Sequence, residues 1–272
     1  MEYKSLIYEV RDGVALITLA REERLNALNS DMNRELPLVW RHFEADDNAQ
    51  VAIVTGQGPK AFCVGADLND LPKSDDDPTA GTLQSIKWSS LQNEVWKPVI
   101  AAVNGMAVGG GLHFIADADI VVASETATFF DSHVAIGFAS ALEPIALCRR
   151  MPIGAVLRMA LMGGAERLGA QEALRLGLVD EVTPAGELLD RAFAMANKIR
   201  RHSPSALART KKAIWQAQDM GLNQALQHGW KLLIAQSAHP DAAEGPQAFG
   251  QHRRPNWQPY SALLDVPSDG DV

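Results

Sequence analysis

The chain has 272 residues, 47% of them hydrophobic, and a formal net charge of −8 at pH 7. That is enough apolar sequence for one α/β domain, alone or with a small appendage, and no low-complexity tract argues for disorder. The acidic balance argues against a nucleic-acid partner, although Arg21, Arg24, Arg253 and Arg254 leave room for an anionic ligand held locally.

Cys63 and Cys148 are too few for a disulfide framework, so a reducing, cytoplasmic setting is expected. The first residues carry no export signal, and the apolar runs are too short and too interrupted to cross a bilayer, so no membrane partner is expected. No zinc-type spacing of Cys or His occurs, and no metal is expected.

Residues 7–10 and 14–19 flank Arg11-Asp12-Gly13 and read as a β-hairpin with Asp-Gly in its turn. Ser30 or Asp31 caps a predicted helix running to about Glu44, with Met32, Leu36, Val39, Trp40 and Phe43 on one face and Pro37 as an interruption. A strand at 51–55 ends in Gly56-Gln57-Gly58, an Asp-rich stretch at 72–78 reads as a mobile loop, and a helix is predicted over 81–95.

The run from Lys97 to His113 is the most informative. A β-branched strand leads into a glycine-punctuated turn, and an apolar helix starts at the triple glycine. A similar turn precedes it at residues 61–68. Glycine allows close backbone approach, and helix N-termini carry unpaired N–H groups, so two such donors converging on a carbonyl oxygen make an oxyanion hole. Another strand follows at 120–123, and alternating strands and helices point to a parallel core sheet. From Ile153 the pattern is helical, with Ser203 and Pro204 opening one helix, Gly221 breaking the run, and Leu222, Leu226, Trp230 and Leu233 forming an apolar stripe suited to a core or to a subunit interface. The segment after Pro255 reads as a disordered tail.

The stretches at 24–29, 61–68, 98–111, 170–180 and 241–245 resemble, in this order, the motifs of the crotonase superfamily, the enoyl-CoA hydratase/isomerase family. The resemblance covers nearly the whole chain. It implies an α/β fold, a ββα spiral core over residues 1–200, and a helical region over 201–260 that completes homotrimers or dimers of trimers, with 261–272 as the tail. It also implies an acyl-CoA substrate and no permanently bound cofactor, coenzyme A arriving as part of the substrate. The thioester oxygen would meet the N–H groups of Ala66 and Gly110, and Arg24, Ala27, Ala66, Asp67 and Leu68 would contact the CoA moiety. Asp67 would brace its loop against a helix N-terminus.

One departure matters. Hydratases of this family carry a glutamate three residues after the second oxyanion glycine and another twenty residues on; those positions here hold His113 and His133. Glu143 stands where some relatives with other chemistry carry a carboxylate. His113, His133 and Glu143 are therefore the expected catalytic groups beside Ala66 and Gly110, with His113 as general base and Glu143 fixing the tautomer of His133. Asp131 is a weaker candidate, Cys63 reads as packing, and Trp88, Leu91, Trp96 and Phe138 are candidate walls of an acyl pocket. Three activities stay open: hydrolytic C–C cleavage of a β-keto acyl-CoA or β-diketone, hydration or isomerisation with Glu143 as acid/base, and binding of acyl-CoA without turnover.

Overall fold

A computed structural model describes residues 3–70 and 82–260. The chain opens with strands β1 (Leu6–Arg11) and β2 (Val14–Leu19), paired antiparallel through a turn in which Asp12 and Gly13 both have positive φ. This is the left-handed geometry that Asp-Gly hairpins supply. Helix α1 (Ser30–Ala45) starts one residue earlier than expected, because Asn29 rather than Ser30 or Asp31 is the cap, its side chain accepting from Met32 N–H at 3.0 Å. The helix continues through Pro37 and still buries Met32, Leu36, Val39, Trp40 and Phe43.

Strands β3 (Val51–Gly56), β4 (Ala61–Cys63), β5 (Val99–Val103), β6 (Met106–Val108), β7 (Ile120–Ser124) and β8 (Thr128–Phe130) follow, with helix α2 (Leu112–Ala116) between β6 and β7. Helices α3 (Leu142–Leu147) and α4 (Ile153–Met162), strand β9 (Leu168–Gly169), helix α5 (Ala170–Leu176), strand β10 (Glu181–Thr183) and helix α6 (Leu188–Ile199) complete the α/β part. Helices α7 (Pro204–Ala217), α8 (Leu222–Ser237) and α9 (Asp241–Gly250) end it.

The strands form two sheets, one ordered β1-β2-β3-β5-β7-β10 and one ordered β4-β6-β8-β9. From β2 to β10 the first is parallel, as expected. The second was not visible in the sequence. Each long strand runs on into a short one across a glycine or polar corner, so β3–β4, β5–β6 and β7–β8 are successive turns of a spiral. Period-two alternation splits the buried residues: Val14, Leu16, Val51, Ile53, Ile100 and Val122 pack on α6, whereas Ala15, Ile17, Leu19, Ala52 and Val54 face the main core with α1.

The helix predicted over 81–95 is absent from its described part, which forms only 3-10 turns at Leu83–Ser85 and Leu91–Asn93. Side chains take over the backbone's hydrogen bonds there: Trp88 N–H and Ser89 N–H donate to Gln92 Oε1, and Asn93 Nδ2 donates to the carbonyls of Lys87 and Ser89. The Asp-rich 72–78 stretch and the 261–272 tail lie outside the described residues. Residues 255–260 are held rather than loose, since Trp257 Nε1 donates to Arg201 O, Gln258 N–H to Asp241, and Tyr260 to Glu44. Among the described residues, no helix is long and apolar enough to cross a membrane.

Candidate active site

The two glycine bends meet. The Leu28 backbone donates to Gly65 O and accepts from Asp67 N–H, both at 2.8 Å, in a parallel bridge opposite Ala66. Parallel pairing of this kind uses the groups flanking Ala66 and turns its own N–H away from Leu28. Gly110 lies in a 3-10 turn, Gly109–Gly111, whose first N–H groups have no acceptor within the turn. The bends touch closely: a Cβ built on Gly65 would stand 3.0 Å from Gly110 N, and Gly65 has φ +84°.

The candidate side chains surround this contact. A Cβ on Gly110 would stand 2.9 Å from the Trp88 ring, and one on Gly109 would stand 3.2 Å from His133 Cε1. Trp88 meets His113 edge to face with centroids 5.6 Å apart. His113, buried on α2, has Nε2 3.4 Å from Glu143 Oε1, and His133 Nε2 is 4.0 Å from the same oxygen. His113 and His133 thus bracket one buried carboxylate, delivered by the first turn of α3. The His113 contact is close but outside hydrogen-bond geometry, so Nε2 is a buried polar atom without a formed partner.

The expected role of Glu143 in fixing the His133 tautomer is corrected here. Asp131 does that work, its carboxylate lying 3.0 and 3.2 Å from Nδ1 and also accepting His133 N–H and the Ser140 hydroxyl. Asp131 sits two residues before His133, close enough for one carboxylate to hold both ring and backbone, whereas Glu143 reaches the opposite nitrogen. The Asp131 hydrogen bond raises the His133 pKa above its usual value, against burial and with help from the charges of Glu143 and Asp131. Burial pushes the carboxyls of Asp131 and Glu143 up, but their imidazole partners outweigh it and hold both below the ordinary carboxylate range. Asp131, His133 and Glu143 offer ligand atoms within 4.8 Å of one another. With the Asp131 oxygens already accepting from His133 and Ser140, the set fits proton transfer better than metal binding.

The residues expected at the CoA moiety also gather. Arg21 Nη1 donates to Ala27 O, and Arg21 Nη2 pairs with Asp67 at 3.0 Å, which ties the 21–28 segment to the 65–68 bend and places Ala27, Ala66 and Leu68 together, with exposed Arg24 on the preceding turn. The Asp67 partner is therefore Arg21 and the Asn69 N–H, not a helix N-terminus. The Trp96 backbone N–H donates to Glu44, and the Lys212 ammonium lies over its ring. Cys63 is fully buried, and burial pushes its thiol up to about 12, which suits packing. Sequence reasoning missed Gln92, whose amide reaches His113 Nδ1 at 3.2 Å, and undervalued Asp131.

The description of the matching family model, enoyl-CoA hydratase/isomerase, applies to residues 9–259. The chain belongs to that family. It is 35% identical over 248 residues to the (E)-benzylidenesuccinyl-CoA hydratase of Thauera aromatica, covering 91% of this chain and 96% of the relative. It is 34% identical to the 2,3-dehydroadipyl-CoA hydratase of Escherichia coli K12, covering 93% and 98%. The crystal structure of an enoyl-CoA hydratase/isomerase from Mycobacterium paratuberculosis superposes with a TM-score of 0.88 at 37% identity, covering 94% of this chain and 99% of the other. The crotonase-type α/β fold expected from the sequence is thereby established for this family member.

Proposed function

We propose that this enoyl-CoA hydratase/isomerase family member adds water to, and removes it from, the Cα–Cβ bond of an acyl-CoA thioester. The observation that carries the reading is the placement of Glu143 between two imidazoles beside the meeting point of the two glycine bends. The related hydratases support the reaction class. Glu143, ionised, takes a proton from water as its oxygen attacks Cβ, and the electron pair moves through Cα to the thioester oxygen. The N–H groups of Ala66 and Gly110 stabilise the resulting enolate. His133, whose pKa the Asp131 hydrogen bond raises, gives its Nε2 proton to Cα. Transfer from Glu143 across the gap to Nε2 of His133 restores both groups, so one water is consumed and nothing else. Arg24, Ala27, Asp67 and Leu68 hold the CoA moiety, which comes and goes with substrate.

The Asp131–His133 pair favours one second reading. An oriented imidazole can activate water against the ketone of a β-keto acyl-CoA or β-diketone, and C–C cleavage would leave an enolate on the same two amides. Crotonyl-CoA and a cyclic β-keto acyl-CoA separate the two. Loss of enoyl absorbance supports hydration, and a ring-opened acid without it supports cleavage. Tight binding of both with turnover of neither would sink both readings in favour of a non-catalytic binder.

The α8 stripe bears on assembly. Leu222, Leu226, Trp230 and Leu233 are all more than half exposed in the single chain. Such a face suits burial between subunits, in the trimer or dimer of trimers implied by the resemblance. Sedimentation of a monomer at micromolar concentration would overturn that assembly.

A further inference from the structure

The Gln92 side-chain amide has a direction fixed by its neighbours. Gln92 Oε1 accepts from Trp88 N–H at 2.8 Å and from Ser89 N–H at 3.0 Å. Both partners are main-chain donors, so the oxygen and nitrogen of this amide cannot be exchanged without facing N–H against N–H. The other end is therefore the NH2 group, and it lies 3.2 Å from His113 Nδ1. An NH2 group only donates, so Nδ1 must offer its lone pair. In a neutral ring the single proton then sits on Nε2, the atom that faces Glu143 Oε1 at 3.4 Å.

We infer that Gln92 is a positioning residue that fixes His113 as a Nε2–H donor to Glu143, so that His113 serves the carboxylate instead of transferring protons itself. This assignment rests on Glu143 being the base of the proposed reaction, and it replaces the general-base role expected of His113. A ring nitrogen that already carries a proton cannot accept one from water, and the opposite nitrogen is closed by Gln92. What the N–H can do is hold Glu143 in place and favour its ionised form. The contact, at 3.4 Å, is off-line in the free protein, and catalytic hydrogen bonds of this kind tighten in the substrate complex. The charged groups around His113 agree with a donor role. Glu143 faces it from α3, and His133 lies beyond Glu143. Asp117, at the end of α2, receives the Ser89 hydroxyl and is itself faced by Arg149 and Arg150.

The test combines a spectrum with three variants. In histidine-15N-labelled native protein, with the His113 signals identified by their loss in His113→Gln, Nδ1 should be unprotonated and Nε2 protonated. His113→Leu should lower kcat about 100-fold, whereas His113→Gln, which still offers an N–H near the Nε2 position, should stay within about tenfold of native with an unaltered KM. Gln92→Leu should show mixed tautomers and lose about tenfold in kcat at constant KM, the scale of one hydrogen bond. A proton on Nδ1 in the native spectrum, or a His113→Gln enzyme as slow as His113→Leu, overturns the inference. The tautomer itself is read from the native protein, and the variant serves only to identify the signals. Full turnover by Glu143→Gln would instead remove the base on which the reaction rests while leaving the tautomer measurement standing, so the two failures are distinguishable.

Discussion

Asp131 grips His133 at Nδ1 and leaves Nε2 turned towards Glu143. Because the ring is held from one side, its second nitrogen is presented in a fixed direction and with a fixed proton inventory. The same hydrogen bond raises the His133 pKa, so this imidazole stays charged to higher pH than an exposed one.

Replacement of Asp131 by Asn should therefore lower kcat about 100-fold and move the alkaline limb of its pH profile to lower pH. The limb reflects loss of the His133 proton, and the variant lacks the acceptor that retains it. The pair also acts on stability, with opposite signs for its members. The raised His133 pKa contributes stability that is complete below about 6.5 and fades as pH rises through the folded-state value. The lowered Asp131 pKa contributes stability present above about 3.9 and lost as pH falls through its folded-state value. Urea midpoints of native and Asp131→Asn protein should differ most between those limits, and a constant difference from pH 4 to 9 would contradict the pairing.

How much of this was legible in the sequence depends on the range of the interaction. The β1–β2 hairpin, the buried face of α1 and the parallel direction of the core strands follow from local patterning, and the structure reproduces them. The second sheet was not legible, because β4, β6 and β8 are three residues long, too short for an alternation to register. The failed helix at 81–95 has the same lesson in reverse. Its apolar spacing was helical, but Gln92 and Asn93 cap the backbone with side-chain bonds that no periodicity reports. At the site, the residues were legible and their partners were not. Asp131 and Glu143 were both visible as carboxylates near His133, yet which nitrogen each would meet depends on the fold of β8 and α3.

The contact of the two glycine bends gives a second prediction. Gly65 has φ +84°, and its Cβ position is 3.0 Å from both Val108 O and Gly110 N, which are backbone atoms that cannot swing aside. Gly65→Ala should push the bends apart, reducing kcat/KM by at least tenfold and destabilising the fold by about 1–3 kcal/mol through left-handed strain and overlap. A variant with native kinetics and a native melting curve would remove the convergence of these bends from the mechanism.

The cysteines should separate cleanly. Cys63 adjoins the site but is fully buried with its thiol pushed up to about 12, whereas Cys148 is exposed. Iodoacetamide at pH 7.5 should label Cys148 alone in the native protein and leave turnover intact, because the thiolate is the reacting species. Labelling of Cys63 with parallel loss of activity, read by peptide mass spectrometry, would reopen a nucleophilic role for it.

A last prediction concerns the support beneath the strand that feeds the site. Lys97 precedes β5 and is almost wholly buried, its Nζ donating to the carbonyls of Phe43, Asp46 and Ala49 at 2.8–2.9 Å. Phe43 O and Asp46 O also accept from the N–H groups of Asp46 and Ala49, so the ammonium adds a shared donor that gathers the end of α1 and the turn after it and ties them to the start of β5. The rings of Phe43 and Tyr260 flank the charge at 5.2 and 4.9 Å, which adds a cation–π component. Lys97→Met keeps most of the side-chain volume but removes the ammonium that three carbonyls share. It should lower stability by about 2–4 kcal/mol while leaving the geometry at Glu143 unchanged, so turnover per folded molecule at low temperature should match native protein. Urea denaturation and activity measured on the same samples test this. An unchanged midpoint would mean that these carbonyls are satisfied without the ammonium and that the lysine is a passenger in the core.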